Sequence, residues 1–303
     1  MRESVLDRIV DSVRTRLASE PPDPDLRRRA AEAAAARRDR RSLFDALTAD
    51  GPSILAECKH ASPSAGVLRE PFDPVALATA YAAGGAAAIS VVVERDHFAG
   101  EPAWIPAVRR AVGVPVLRKD FIVTERQLDE TVLLGADAVL LIQRLLSPSQ
   151  LADLVGHARG LGLDVLLELF VDEDPEPAVA SGAAILGVNA RNLATFEVRL
   201  DLVEAMAAAL PADRVRVAES GITGSANVRR LVAAGYDAFL VGEHLVRSED
   251  PAAAVRELRD VPAGHGRRNE HHRGSRIEHP ESSDRRPATS DDSVGNGNGN
   301  GNG

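Results

Sequence analysis

A single (β/α)8 TIM barrel is the fold class that the sequence predicts, and three observations indicate it. Eight short apolar segments lie between residues 53 and 241, and segments with helical periodicity separate them. The apolar segments are rich in Val, Ile, Leu and Ala on both faces, which is typical of parallel strands that helices cover on each side. The region 51–261 is long enough for a barrel of about 200 residues.

The region 1–50, which precedes the barrel, is predicted to be its helical extension. Apolar residues recur every four positions along one helix face, at Val5, Ile9, Val13 and Leu17. The proline-rich run 21–24 ends this helix, and two shorter helices are predicted over Ala30–Ala36 and 43–47.

Strands and helices of the barrel follow in alternation. The predicted strands are Ile54–Lys59, Ala87–Val93, Val114–Arg118, Ala138–Ile142, Val165–Leu169, Ala184–Val188, Val215–Glu219 and Ala238–Val241. The helical patterns between them include Pro74–Ala83, Thr124–Leu134, Ser147–Leu161 and Ala226–Ala233. A doubly wound open sheet is the alternative, but it usually has fewer strands, and no GxGxxG turn follows the first strand.

The composition excludes several classes of protein. The chain of 303 residues has one cysteine, Cys58, which excludes an intramolecular disulfide framework and a cysteine-built zinc cluster. The formal charge of −9 disfavours binding to nucleic acid. No apolar run approaches the ~20 residues of a membrane span, and the first four residues contain no secretory apolar region. We expect a cytoplasmic protein.

The segment 262–303 differs from the rest of the chain in composition. Its only large apolar residues are Ile277 and Val294, and it ends in an Asn-Gly repeat. A segment that buries so little apolar surface does not offset its ordering entropy, so a disordered tail is predicted.

The chain has only two lysines, and both lie at predicted strand ends. Lys59 ends the first strand and Lys119 follows the third, whereas every other basic residue is arginine. Arginine replaces lysine on a surface, but it stays charged and does not give up a proton. A bias against lysine codons is the alternative explanation, yet such a bias would leave lysines mostly on helix surfaces. Both lysines are therefore candidate proton donors.

Other polar residues gather at the carboxyl ends of the strands, where the active sites of barrels lie. These residues are Glu57, Arg118, Asp120, Gln143, Arg144, Glu168, Asn189, Arg191 and Glu219. Strand side chains alternate in direction, so Glu57 and Lys59 point to one side and Cys58 to the other, where it has no predicted chemistry. Buried ion pairs with arginines are the alternative for the acids, but a single shared site is favoured.

The loops after three strands indicate a phosphate site. Ser62 follows the first strand, Ser220 and Gly221 follow the seventh, and Gly242 follows the eighth. In barrels, the loops after the last two strands often bind phosphate through backbone N–H groups. The predicted ligand is a phosphorylated small molecule.

Four motifs together resemble those of the indole-3-glycerol-phosphate synthase family. They are ILAECK at 54–59 with SPS at 62–64 and Gly66, VLRKDFIV at 116–123, GVNARNL at 187–193, and AESGI at 218–222. The similarity runs from about Ser53 to Leu258 with the motifs in the family's order. The N-terminal helices match an extension that this family places before its barrel.

The resemblance implies an enzyme of tryptophan biosynthesis that needs no metal or organic cofactor. The implied reaction closes the indole ring of 1-(2-carboxyphenylamino)-1-deoxyribulose 5-phosphate with loss of carbon dioxide and water, as a decarboxylating lyase does. The implied partners are this substrate and other tryptophan-pathway enzymes, and they include neither nucleic acid nor a membrane.

The resemblance also implies roles for single residues. Lys119 would protonate the substrate carbonyl, and Glu168 would act as acid or base in the dehydration. Lys59 would pair with the substrate carboxylate, and Glu57 would hold Lys59; which lysine serves which step stays open. The implied substrate-binding residues are Asn189 and Arg191 for the anthranilate part, Glu219 for orientation, and Ser62, Ser220, Gly221 and Gly242 for the phosphate.

Three positions depart from the family pattern or its expected chemistry. Ala65 stands where a lysine is common, and Ala99 stands in a loop that commonly has two glycines. Glu243 lies near the expected phosphate, so its side chain is predicted to point away. Two other functions are weighed: an isomerase barrel, which the Glu-x-Lys of the first strand disfavours, and a non-catalytic binding barrel, which the retention of both lysines and Glu168 disfavours.

Overall fold

The protein is a closed barrel of eight parallel strands, as predicted. The computed structural model describes residues 5–192 and 195–261, and the predicted tail lies outside them. The strands are β1 (Ser53–Cys58), β2 (Ala61–Ser62), β3 (Gly66–Val67), β4 (Ala88–Val92), β5 (Val116–Lys119), β6 (Ala138–Ile142), β7 (Asp164–Phe170), β8 (Ile185–Asn189), β9 (Val215–Glu219) and β10 (Ala238–Val241). The barrel runs from β1 to β4, then in chain order to β10, which closes on β1; β2 and β3 form a separate hairpin.

Helices cover the outside of the barrel and precede it. They are α1 (Val5–Ser19), α2 (Leu26–Ala36), α3 (Leu43–Leu47), α4 (Pro74–Ala83), α5 (Trp104–Ala111), α6 (Glu125–Leu134), α7 (Pro148–Gly160), α8 (Glu176–Ala180), α9 (Leu200–Met206), α10 (Ser225–Ala234), α11 (Glu243–Arg247) and α12 (Pro251–Arg259). None of these helices is long and apolar enough to cross a membrane.

The predicted elements agree closely with the observed ones. The bounds of β6, β9, β10 and α4 match residue for residue. The observed strand β5 starts at Val116, two residues after the predicted start at Val114, because Pro115 has no N–H to donate to a neighbouring strand. The hairpin of β2 and β3 was not predicted, since strands of two residues carry no periodic signal.

Two carboxylates fix the N-terminal extension to the amino-terminal end of the barrel. Asp137, which is fully buried before β6, accepts a hydrogen bond from Arg37 at 2.6 Å and ion-pairs with Arg109 at 3.1 Å. Asp164, at the start of β7, accepts a hydrogen bond from the backbone N–H of Leu43 at 2.6 Å. Short helix α3 thereby covers this end of the barrel.

Apolar side chains fill the barrel interior at the end that α3 covers. Leu43 and Leu47 of α3 are fully buried and belong to one cluster with Leu117, Leu166 and Leu240 from the strands. This packing closes the amino-terminal end, so a ligand can enter only at the carboxyl ends of the strands.

Candidate active site

A cavity of about 820 Å³ opens at the carboxyl ends of the strands, within the size range of small-molecule sites. All eleven residues that the sequence analysis selected for catalysis or binding line it. They are Glu57, Lys59, Ser62, Lys119, Glu168, Asn189, Arg191, Glu219, Ser220, Gly221 and Gly242. The barrel thus brings together residues that are up to 185 positions apart, from Glu57 to Gly242.

Lys119 lies between two glutamates in this cavity. It ends β5, and its Nζ donates hydrogen bonds to Glu168 Oε2 and to Glu219 Oε2, both at 3.0 Å. Its neighbour Arg118 points the other way, toward α6, where it donates to the backbone oxygen of Gln127 at 2.9 Å. The alternation of strand side chains therefore selects the lysine for the cavity and the arginine for the helix layer.

The two glutamates differ in their affinity for a proton. Burial raises the pKa of Glu219 to about 8, and the negative charge of Glu168 adds to this effect although Lys119 opposes it. Burial also favours a higher pKa for Glu168. The positive charge of Lys119 and the hydrogen bonds to Glu168 outweigh burial and hold the pKa of that carboxyl below its ordinary value. Near neutral pH, Glu219 therefore keeps a proton while Glu168 is a carboxylate.

Lys119 itself is held in its charged form. Burial alone would lower the pKa of Lys119, but the negative charge of Glu168, and that of Glu219 at the high pH where the lysine would lose its proton, outweigh burial and raise the pKa of Lys119 above its ordinary value. Lys119 therefore carries its proton near neutral pH.

The second lysine forms its own pair. Lys59 Nζ donates to Glu57 Oε1 at 2.6 Å, and the Glu57 side chain is buried. Cys58, between them, points outward and is buried with its Sγ 3.6 Å from the backbone oxygen of Pro74. Burial raises the pKa of this thiol, which keeps it protonated and unreactive.

Asn189 orients Glu168 from the next strand. Its Nδ2 donates to Glu168 Oε1 at 3.2 Å, and its Oδ1 accepts the backbone N–H of Arg191 at 2.9 Å. Glu168 is thus held by Lys119 at one oxygen and by Asn189 at the other. This contact is additional to the anthranilate role that the resemblance implies for Asn189.

Two glycines leave room for the site carboxylates. A Cβ on Gly187 would lie 2.1 Å from Glu219 Oε1, and a Cβ on Gly242 would lie 2.4 Å from Glu57 Oε1. Both distances are far below van der Waals contact, so a larger residue at either position would displace the carboxylate. Gly187 was part of a sequence motif, but no pattern in the sequence shows which side chain needs its space.

Sequence reasoning missed the apolar wall of the cavity. Val5, Leu6 and Ile9 of α1 line it, as do Phe98 and Phe121. Phe98 and Phe121 follow the carboxyl ends of β4 and β5, and this position in the sequence could have indicated that they line the cavity. The reach of α1 to the mouth is set by tertiary packing, which helical periodicity does not show.

One polar pair at a strand end does not line the cavity. Gln143 and Arg144 form a 3₁₀ turn after β6. Gln143 Nε2 donates to the backbone oxygen of Asp174 at 2.9 Å, and Arg144 pairs with Asp172. Their polar groups thus bind the loop after β7 instead of a ligand.

Comparisons with known proteins show the family to which this chain belongs. The family model described as indole-3-glycerol phosphate synthase matches residues 6–258. A relative of that name from Nocardioides sp. is 47% identical over 261 residues, which cover 85% of this chain and 99% of the relative. Another, from Rhodococcus opacus, is 44% identical over 84% of this chain and 94% of the relative. The chain belongs to the indole-3-glycerol phosphate synthase family. It is accordingly a decarboxylating lyase of tryptophan biosynthesis.

Two solved structures show the same fold at low identity. A thiamine phosphate pyrophosphorylase from Pyrococcus furiosus superposes with a TM-score of 0.53 at 19% identity, covering 72% of this chain and 96% of that one. A 3-hexulose-6-phosphate synthase gives a TM-score of 0.55 at 21% identity, covering 68% and 98%. At such identities the likeness extends to the barrel and not to its chemistry.

Proposed function

We propose that this family member closes the indole ring of 1-(2-carboxyphenylamino)-1-deoxyribulose 5-phosphate by acid–base chemistry at Lys119 and Glu168. The observation that carries this proposal is the lysine held at 3.0 Å from two buried glutamates at the barrel mouth. The pKa directions of these groups support a proton on Lys119 and none on Glu168 before substrate binds.

The first step forms a carbon–carbon bond. The ring carbon that bears the carboxylate attacks the ketone carbon, and Lys119 Nζ gives its proton to the ketone oxygen, which becomes a hydroxyl. Carbon dioxide then leaves, and the electron pair of its bond restores the aromatic ring. A proton donor positioned at the oxygen accelerates such a step about 10²–10⁴-fold.

The second step removes water. Glu168 takes a proton from the methylene beside the new ring junction, and the hydroxyl leaves as water with a proton from Lys59, which Glu57 orients at 2.6 Å. Glu168 returns its proton to Lys119 at 3.0 Å, and Lys59 regains one from solvent. One proton is consumed per turnover, in agreement with the loss of a carboxylate as neutral carbon dioxide.

The remaining cavity residues bind the substrate. Asn189 and Arg191 hold the anthranilate part, and Glu219, which keeps its proton near neutral pH, orients the reacting groups. The phosphate-binding residues proposed here are Ser62, Ser220, Gly221 and Gly242. Gly242 supports this assignment because it caps the amino end of α11, where backbone N–H groups attract anions.

Cytoplasmic location and contact with other tryptophan-pathway enzymes are part of the proposal. The shared pathway supports both, since the substrate and the product each pass between enzymes. Co-sedimentation of the purified chain with the enzyme that consumes its product, at increasing concentration, tests the contact.

The experiment that tests the function follows product formation directly. The purified chain is mixed with 1-(2-carboxyphenylamino)-1-deoxyribulose 5-phosphate, and indole fluorescence is recorded with and without EDTA. We expect equal turnover in both samples, with one carbon dioxide released per indole. Binding of the substrate without turnover would instead support the non-catalytic barrel.

A further inference from the structure

We propose that Arg247 is the cation that binds the substrate phosphate, and that Glu243 holds Arg247 in place until the phosphate replaces it. This inference rests on the proposed function, which supplies a phosphorylated substrate. It concerns a residue that sequence analysis did not select, although Arg247 lines the same cavity as Gly242 and Ser220.

An inventory of charge in the cavity points to Arg247. The basic residues that line it are Lys59, Lys119, Arg191, His244 and Arg247. The lysines are only 19% and 17% exposed and are engaged by the buried side chains of Glu57, Glu168 and Glu219. Arg191 belongs to the loop after β8, where its Nη1 donates to the backbone oxygen of Phe196 at 3.4 Å. Of the remaining two, Arg247 is the one whose charge is permanent.

The geometry of α11 brings the guanidinium to the phosphate end. This helix begins beside Gly242, and Arg247 Nε donates to Glu243 Oε1 at 3.1 Å, one turn back along the chain. The contact draws the arginine toward the first turn of the helix, which follows Gly242 in the wall of the same cavity. Both side chains are about half exposed, at 47% and 43%, so a ligand can reach them.

The pairing of Glu243 with Arg247 explains why a carboxylate lies beside the proposed phosphate site. A phosphate carries close to two negative charges at neutral pH, more than the single charge of Glu243. Guanidinium has five N–H donors and binds phosphate through two parallel hydrogen bonds, so it can turn from Glu243 to the ligand. Position 65, in the loop after β1, is an alanine and offers no basic side chain to the phosphate. The backbone N–H of Ala65 donates to Ser62 Oγ at 3.2 Å.

Inhibition by inorganic phosphate and by anthranilate separates the two ends of the cavity. Arg247→Ala should raise the inhibition constant of phosphate and the KM of the substrate about 10- to 100-fold, the range for hydrogen bonds to charged groups. The inhibition constant of anthranilate should stay within about twofold, and kcat should change less than about threefold. Arg230→Ala is the matched control, since Arg230 is 49% exposed and pairs with Glu204 on the barrel surface.

Glu243→Gln tests whether Arg247 exchanges Glu243 for the phosphate. Loss of the competing charge should lower the inhibition constant of phosphate at least about twofold. An unchanged phosphate constant in Arg247→Ala, equal losses for phosphate and anthranilate, or an unchanged or raised phosphate constant in Glu243→Gln would overturn the proposal. Absence of turnover in the unmodified enzyme would instead contradict the proposed function.

Discussion

At the scale of single residues, the site depends on two carboxyls that contact the same lysine yet hold different protonation states. Glu168 accepts hydrogen bonds from Lys119 at one oxygen and Asn189 at the other, and it also shares a hydrogen bond with the protonated Glu219. Glu219 has Lys119 at Oε2, whereas its Oε1 is buried without a hydrogen-bond partner among residues 5–192 and 195–261. Fewer donors for a buried carboxyl favour its neutral form. The arrangement thus separates a base from a proton-bearing acid at one lysine.

Glu219→Gln should remove a pH dependence of stability. The folded-state pKa of about 8 lies above the ordinary 4.5, so the folded protein binds the extra proton between these values. The free energy of unfolding contributed by Glu219 therefore falls as pH rises from about 5 to 8, and it is constant above. Urea denaturation at each pH measures the difference between the two proteins. A difference that is flat or rises across this window would contradict the assignment.

Gly187→Ala should reduce turnover by displacing Glu219. The added Cβ would meet Glu219 Oε1 at 2.1 Å, so the carboxyl must move away from its contact with Lys119. We expect kcat to fall at least about tenfold, since a misplacement of about 1 Å costs up to 10²-fold. Gly156→Ala, in helix α7 with open space around its Cβ, is the control and should keep full activity. Equal kcat values for both variants would show that Gly187 has no positioning role.

At the scale of elements, the extension is joined to the barrel by a buried ion-pair cluster. Asp137 also accepts the backbone N–H of Val116 at 3.0 Å, so one carboxylate connects β5 with two arginines. The cluster lies at the end of the barrel opposite the cavity. It therefore serves stability and not catalysis.

Asp137→Ala should destabilise the protein by about 3 kcal/mol, because it leaves Arg37 and Arg109 largely buried without the buried carboxylate that pairs with both. Asp39→Ala is the matched control, since Asp39 contacts the same arginines but is 71% exposed. It should cost less than about 1 kcal/mol. Denaturant unfolding measures both values, and similar losses in the two variants would refute the importance of burial.

The barrel elements could be predicted because their signals are local. Apolar runs of strand length, such as Ala138–Ile142, are contained in a few adjacent residues. Strand alternation also placed Glu57 and Lys59 on one side. The wall formed by Val5 and its neighbours could not be predicted, because it depends on how α1 lies against a cavity built from residues distant in sequence.

At the scale of the whole molecule, the barrel separates stability from chemistry by placing them at opposite ends. The cluster around Asp137 and the apolar plug of α3 close the amino-terminal end. The titratable residues Lys119 and Glu219, whose pKa values are displaced, lie at the other end. Because the two ends are distinct, substitutions at the cavity should change kcat more than they change the free energy of unfolding.

Residues 262–303 are predicted by composition to add little to the barrel. Since that segment has two large apolar residues, it has little surface to pack against the barrel. We propose that its deletion leaves kcat, KM and the melting temperature unchanged within error. A shortened chain that melts several degrees lower or loses activity would contradict this division of the molecule.

The kcat of Lys119→Arg tests whether Lys119 is the proton donor. Arginine keeps the positive charge between Glu168 and Glu219 but does not release a proton near neutral pH. If Lys119 is the general acid, kcat falls at least about 100-fold while the melting temperature is maintained. A folded Lys119→Arg enzyme with nearly unchanged turnover would show that proton transfer from Lys119 does not drive ring closure.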